Sequence, residues 1–151
     1  MDVLYQFLVL VHVLGAICGL GATFASPYIM RGGSTVPTAK IALSVNEKVE
    51  KLAKIGSFTL LGTGLIMGAI NTQLFSMGWY LISIGLYILL QPVVAYLMPK
   101  HAKGMAAALE QAEGNDLPAV YGELALKVVP LTRIAQVALV VIVFFMVFKP
   151  F

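Results

Sequence analysis

The chain has few charged residues and a single cysteine, and both features limit the class of protein to which it can belong. Charged residues make up 11% of its 151 residues and hydrophobic residues 60%, whereas about 25% of a soluble domain is charged. Cys18 is the only cysteine, which excludes a disulfide-stabilised scaffold. A disordered chain would be far less hydrophobic, and a soluble domain of this size could not bury so much apolar surface. The composition therefore predicts a polytopic integral membrane protein.

Motifs of the common catalytic and nucleotide-binding sites are also absent. The sequence contains no Walker loop, GxGxxG, HExxH, CxxC or nucleophile elbow. Its basic residues flank long apolar runs, as they do at a membrane surface, and nothing in their distribution points to nucleic acid. We therefore expect the lipid bilayer, and no nucleic acid, as a partner of this chain.

Long runs without charge predict the architecture. Such runs cover residues 3–30, 55–99 and 134–148, and the last extends backwards past Arg133. The middle run is long enough for two spans joined by a turn near Asn71, because one helical span takes about 20 residues. Backbone in lipid must be helical, and these apolar blocks lack the alternation of a barrel. The sequence predicts one all-α membrane domain, residues 1–151, formed by an antiparallel bundle of four helices at about 3–30, 38–71, 77–98 (extending to about 113) and 118–148.

The second and third helices are expected to protrude from the membrane. In helix two, Glu47 and Lys51 sit four residues apart in the order that favours ion pairs, as do Glu50 and Lys54. Asp116 is the expected N-cap of helix four.

The distribution of Lys and Arg predicts the orientation. Nine of the ten lysines and arginines flank the first and third connections, and Lys149 alone lies on the other side. Because positive residues stay inside, both termini and the turn at 71–77 are expected outside the cytoplasm.

His12 is the main candidate functional residue, because an ionisable side chain within a span is a functional-site hypothesis by default. It shares one helix face with Gly15 and Gly19, which form a GxxxG that lets another helix come close. We therefore expect His12 to face the bundle interior. It could act as a haem or metal ligand or as a proton or quinone contact, or it could simply hydrogen-bond to a neighbouring helix.

Polar residues of the other helices fall at depths that would let them meet His12. At about 1.5 Å per residue, His12, Thr63 and Tyr87 lie about 12–15 Å below the outer surface, with Gln91 and Gln136 near the midplane. They are predicted to line one polar cavity around His12, although interhelical hydrogen bonding explains them equally well. Arg133 either extends to the inner headgroups or contacts an anion in the cavity, such as a haem propionate.

Several segments resemble known membrane families. The stretch Leu10-Val11-His12-Val13-Leu14-Gly15-Ala16, the segment from Leu52 to Gly68 and the closing Met146-Val147-Phe148-Lys149-Pro150 resemble a bacterial four-helix integral membrane family of unknown function. More distantly, the histidine helix resembles copper-resistance D-type proteins and the membrane protoporphyrinogen oxidase family, which binds haem b. The latter resemblance implies that His12 is a haem ligand. The intramembrane lysine of that family has no counterpart in residues 55–99.

Two functions are compatible with these features. One is a non-catalytic transporter, channel or accessory protein in the bacterial cytoplasmic membrane, with a polar cavity around His12. The other is a haem b-binding or redox-associated protein in which His12 is the axial ligand. The glycines of helix one could also form the seam of a homo-oligomer.

Overall fold

A computed structural model describes residues 3–151, which contain four long helices and no strand. All four helices are long and apolar enough to cross a membrane, which confirms the predicted all-α class and the four spans. A 3-10 turn at Thr72–Ser76 joins the second and third helices. The helices are α1 (Val3–Arg31), α2 (Val36–Ile70), α3 (Gly78–Glu110) and α4 (Ala119–Phe148).

Consecutive helices run antiparallel. His12 of α1 bonds to Thr63 of α2, whereas Gly19, two turns further along α1, lies against Gly56, two turns earlier in α2. Residue numbers therefore rise along α1 as they fall along α2. Residue numbers also rise along one helix as they fall along the next for α2 with α3 (Gly64–Tyr80 and Ser57–Tyr87). The same holds for α3 with α4 and the residues that follow α4 (Gly104–Leu124 and Gly78–Phe151).

Three glycines bring α1 and α2 together. A Cβ built on Gly56 would lie 2.6 Å from both the Gly15 carbonyl oxygen and the Gly19 nitrogen, which is closer than any side chain permits. The two backbones are therefore in direct contact, as expected of small residues at a membrane helix crossing. The close approach predicted at Gly15 and Gly19 is confirmed.

The most buried side chains lie at the end of the bundle where α1 ends, α2 begins, α3 ends and α4 begins. We call it the basic end, because it carries Arg31 and Lys40. Its core consists of Val36, Ala39, Met105, Leu109 and Tyr121, which are at most 5% exposed. The Val36 N–H also donates to the Asn115 carbonyl at 3.0 Å, which ties the start of α2 to the connection before α4.

The outer faces of the helices are apolar and exposed. Ile17, Phe58, Leu89 and Val137, one on each helix, are at least 63% exposed. A soluble protein would bury such residues, whereas lipid tails solvate them.

Two details at the basic end differ from the expectation. The predicted N-cap at Asp116 is wrong: Pro118 takes that position with an extended ψ of 144°, and α4 begins at Ala119. An N-cap at Asp116 would require Leu117 to begin the helix. Leu117 precedes a proline, and the residue before a proline disfavours helical dihedrals. The sequence predicted two ion pairs in α2. Glu47–Lys51 forms at 3.0 Å and is the only ion pair within residues 3–151, so the expected Glu50–Lys54 pair is absent.

A π-helical segment, Pro92–Leu97, interrupts α3. Proline has no N–H to donate, and its ring collides with the carbonyl four residues earlier in a regular α-helix. The wider π turn accommodates both effects and changes the direction of the side chains that follow. The sequence predicted a helix through this region without the interruption.

Candidate functional site

His12 contacts α2 through one well-defined hydrogen bond. Its Nδ1 lies 2.8 Å from the Thr63 Oγ1. The Thr63 hydroxyl donates its only proton to the Thr59 carbonyl at 2.6 Å, and on that basis we assign the His12 Nδ1 as the donor in the bond between them. In a neutral imidazole the Nε2 is then unprotonated. The ring packs beside Gly64, where a Cβ would lie at an ordinary contact distance of 3.6 Å from the His12 Cε1.

Tyr87 lies at a different level from His12. Its hydroxyl donates to the Ser57 carbonyl at 2.7 Å and also contacts the Ser57 hydroxyl. Ser57 and Thr63 are six residues apart, or about 9 Å along α2. The tyrosine near the level of His12 is Tyr80, whose hydroxyl donates to the Gly64 carbonyl at 2.9 Å.

Tyr87 and Gln91 line a cavity of about 90 Å³ that we call the central cavity. It lies among all four helices, and its walls are mostly apolar. Gln91 and Met98, both on the wall, flank the π-helical segment of α3. The π-helical segment of α3 therefore falls where α3 forms this wall.

Arg133 and Gln136 line a second cavity, of about 600 Å³, at the basic end. We call it the basic-end cavity. Arg31 lies on its wall, with its guanidinium 5.6 Å from the centre of the Tyr28 ring. Gln136 donates to the Thr23 carbonyl across to α1 at 3.4 Å. The two cavities adjoin, because Ser26, Glu50 and Met98 line both of them.

Asn46 and Glu50 form a polar pair on the wall of the basic-end cavity. The Asn46 Nδ2 donates to the Glu50 Oε1 at 3.0 Å. This bond replaces the Glu50–Lys54 ion pair expected from the sequence. Asn46 is 6% exposed, and its Oδ1 accepts no hydrogen bond from the described residues.

The six residues predicted to share one site therefore fall into two groups. His12 and Thr63 bond to each other and line neither cavity. The other four line the two adjoining cavities: Tyr87 and Gln91 the central cavity, and Arg133 and Gln136 the basic-end cavity. Within residues 3–151, His12 belongs to no cluster of three or more side chains that could hold a metal.

A family model described as a predicted integral membrane protein (DUF2269) matches residues 6–150. The chain belongs to this family. This assignment confirms the resemblance of its helices to a four-helix integral membrane family. No curated protein and no solved structure matches the chain, and the more distant resemblances to copper-resistance and haem-binding proteins are not shown.

Sequence reasoning missed three polar residues of this family member. Asn46 and Glu50 precede the uncharged run of α2, and Glu50 had been interpreted as a surface ion-pair partner. Their signal was the spacing with Ala39, Ala42 and Leu43, which places Asn46 and Glu50 on the inward face of α2. Tyr80 and Tyr87 are seven residues apart and share a helix face, so only the register of α3 against α2 shows which of them approaches Gly64.

Proposed function

We propose that this protein is a non-catalytic binding protein that serves a transport, channel or accessory role. Its ligand is an amphiphile that carries a phosphate or carboxylate group and is held in the two adjoining cavities. The observation that carries the proposal is that Arg31 and Arg133 line the same cavity. Neither guanidinium forms an ion pair within residues 3–151. Arginine binds phosphate and carboxylate groups through paired hydrogen bonds, and such unpaired arginines suit an anionic headgroup.

The size and polarity of the cavities support an amphiphile. The basic-end cavity, at about 600 Å³, is within the range of about 300–1,000 Å³ common for small-molecule sites. The adjoining central cavity is mostly apolar and extends between the helices. A lipid whose headgroup binds the arginines would therefore place part of its acyl tail in the central cavity.

The same proposal includes an orientation in the bacterial cytoplasmic membrane. The basic end faces the cytoplasm, and both termini face outwards, because positive residues are retained inside. Arg31 then lies near the inner headgroups, where anionic lipids are most abundant, and the long side chain of Arg133 extends towards them. The ligand would enter the basic-end cavity from this inner leaflet.

Native mass spectrometry of the detergent-purified protein with phosphatidylglycerol tests the proposal. Replacing both arginines, Arg31→Gln with Arg133→Gln, is expected to weaken binding about tenfold or more, since each charge-assisted bond is worth about 1.5–3 kcal/mol. The matched control is Lys127→Gln, which removes an exposed positive charge from α4 outside both cavities. The control is expected to leave binding within about twofold, because Lys127 lines neither cavity.

An equal loss in Lys127→Gln and in the arginine variant would show that lipid responds to surface charge in general. Absence of bound lipid in the wild-type protein would contradict the proposal directly.

A second candidate is haem b binding with His12 as axial ligand. The hydrogen bond to Thr63 favours it, because a protonated Nδ1 leaves the Nε2 lone pair for a metal. One chain does not enclose a haem by itself: His12 lines neither cavity, and the other histidine, His101, lies near the basic end of α3. The second axial ligand would come from another copy in a homo-oligomer. This candidate requires a Soret band after expression with ample haem, and loss of that band in His12→Ala.

A further inference from the structure

Asn46 carries a buried acceptor that no side chain or backbone group among the described residues satisfies. The residue is 6% exposed, its Nδ2 is bonded to the Glu50 Oε1, and its Oδ1 has no partner. Buried carbonyl oxygens in folded proteins almost always accept a hydrogen bond. The Oδ1 atom accepts and cannot donate, so whatever completes this position must carry an N–H or O–H.

Glu50 places a negative charge beside that acceptor. Its carboxylate is half-buried on the cavity wall and forms no ion pair within residues 3–151. An uncompensated carboxylate in a confined site favours a cation. A neutral acceptor and a carboxylate side by side are complementary to a primary ammonium, which has three N–H donors and a positive charge.

The basic-end cavity therefore has two chemically different parts. Arg31 and Arg133 offer donors and positive charge, whereas Asn46 and Glu50 offer acceptors and negative charge. We propose that the ligand is zwitterionic, with a phosphate bound by the two arginines and a primary ammonium bound by the Asn46 Oδ1 and the Glu50 carboxylate. A phospholipid headgroup with an ethanolamine ester has this chemistry. The inference rests on the proposed function and adds the class of headgroup.

The binding of three phospholipids with identical acyl chains tests the two parts of the basic-end cavity separately. Phosphatidylethanolamine has both groups, phosphatidylcholine has a methylated ammonium without N–H, and phosphatidylglycerol has the phosphate and neutral hydroxyls but no ammonium. With the full chain in detergent and native mass spectrometry as the readout, we expect the wild type to bind phosphatidylethanolamine at least about fivefold better than phosphatidylcholine. In Glu50→Gln and in Asn46→Leu this preference is expected to vanish, whereas phosphatidylglycerol binding stays within about twofold.

Glu47→Gln is the matched control, because Glu47 lies on the same helix but is exposed and does not line the basic-end cavity. It is expected to retain the preference. Asn46 is buried, so its variant could fail to fold, and Glu50→Gln keeps the test decisive in that case. Equal binding of phosphatidylethanolamine and phosphatidylcholine to the wild type, or a preference that survives in Glu50→Gln, would overturn the inference.

Failure of the proposed function gives a different result. Phosphatidylglycerol offers the arginines a phosphate but offers Glu50 no cation, so its failure to bind would contradict the proposed function itself. Competition with free phosphoethanolamine identifies the source of the headgroup. Displacement only at a large molar excess supports a lipid, whereas displacement at equal concentration would overturn the lipid assignment in favour of a small solute.

Discussion

At the scale of single residues, the bond between His12 and Thr63 shows how polar side chains are used within the spans. Thr63 accepts from the imidazole while it donates to the carbonyl of its own helix one turn earlier. The Tyr87 hydroxyl similarly donates to the Ser57 carbonyl. In both cases a side chain crosses between helices, which is how polar groups stabilise packing where lipid offers no partner.

Thr63→Val is expected to destabilise the bundle, because it removes the acceptor of the His12 N–H and leaves that donor without a partner. The expected loss is about 0.6 kcal/mol and at most about 1.7 kcal/mol, the range of hydrogen bonds between membrane helices. Unfolding in mixed micelles with increasing denaturing detergent measures it. Thr63→Ser, which keeps the hydroxyl, is the control, and equal stability of the two variants would contradict the assigned role.

At the scale of helices, the crossing of α1 and α2 depends most on Gly56 of α2, which lies opposite the GxxxG of α1. Gly56 of α2 lies between Gly15 and Gly19 and has no space for a methyl group. Gly19 is less constrained, because a Cβ there would lie 3.7 Å from the Gly56 carbonyl carbon, an ordinary contact distance. The three positions therefore differ in their tolerance although all are glycines.

We expect Gly56→Ala to destabilise the protein by about 1–3 kcal/mol, the usual cost of an overpacked site. Gly19→Ala is expected to have a small effect, whereas the larger side chain in Gly19→Leu should separate the helices. Gly62→Ala is the matched control on α2, because a Cβ at Gly62 has no neighbour within 4 Å and alanine favours a helix. Thermal unfolding in detergent checks this order, and a Gly56→Ala protein as stable as Gly62→Ala would contradict it.

The helices themselves could be predicted because lipid leaves the backbone little choice. Uncharged runs mark the spans, and the GxxxG of α1 marks a close approach. The composition of the cavities could not be predicted in the same way, because it depends on how α3 rotates after Pro92 and on the register of all four helices. Asn46 and Glu50 illustrate the limit, since their spacing with Ala39 and Ala42 indicates an inward face but not whether that face meets a packed core or a cavity.

At the scale of the molecule, charge and burial are concentrated at one end. The buried core of Val36, Met105 and Leu109, the basic-end cavity and nearly all lysines and arginines are there. The opposite end carries the turn at Thr72–Ser76 and Lys149, which lies 5.4 Å from the centre of the Trp79 ring. Such asymmetry is typical of a protein inserted in one direction, with its packed extensions in the cytoplasm.

This asymmetry predicts a definite labelling pattern in intact bacterial cells. In a Cys18→Ser background, Gln73→Cys is expected to react with a membrane-impermeant maleimide added outside, because the proposed orientation places the turn that contains position 73 outside. Ser44→Cys, on the exposed surface of α2 at the basic end, should react only after the cells are made permeable. Both positions are exposed, so a difference in labelling reports the side of the membrane. Labelling of Ser44→Cys alone in intact cells would reverse the orientation, and it would also place the arginines of the basic-end cavity at the outer leaflet, from which the ligand would then have to enter.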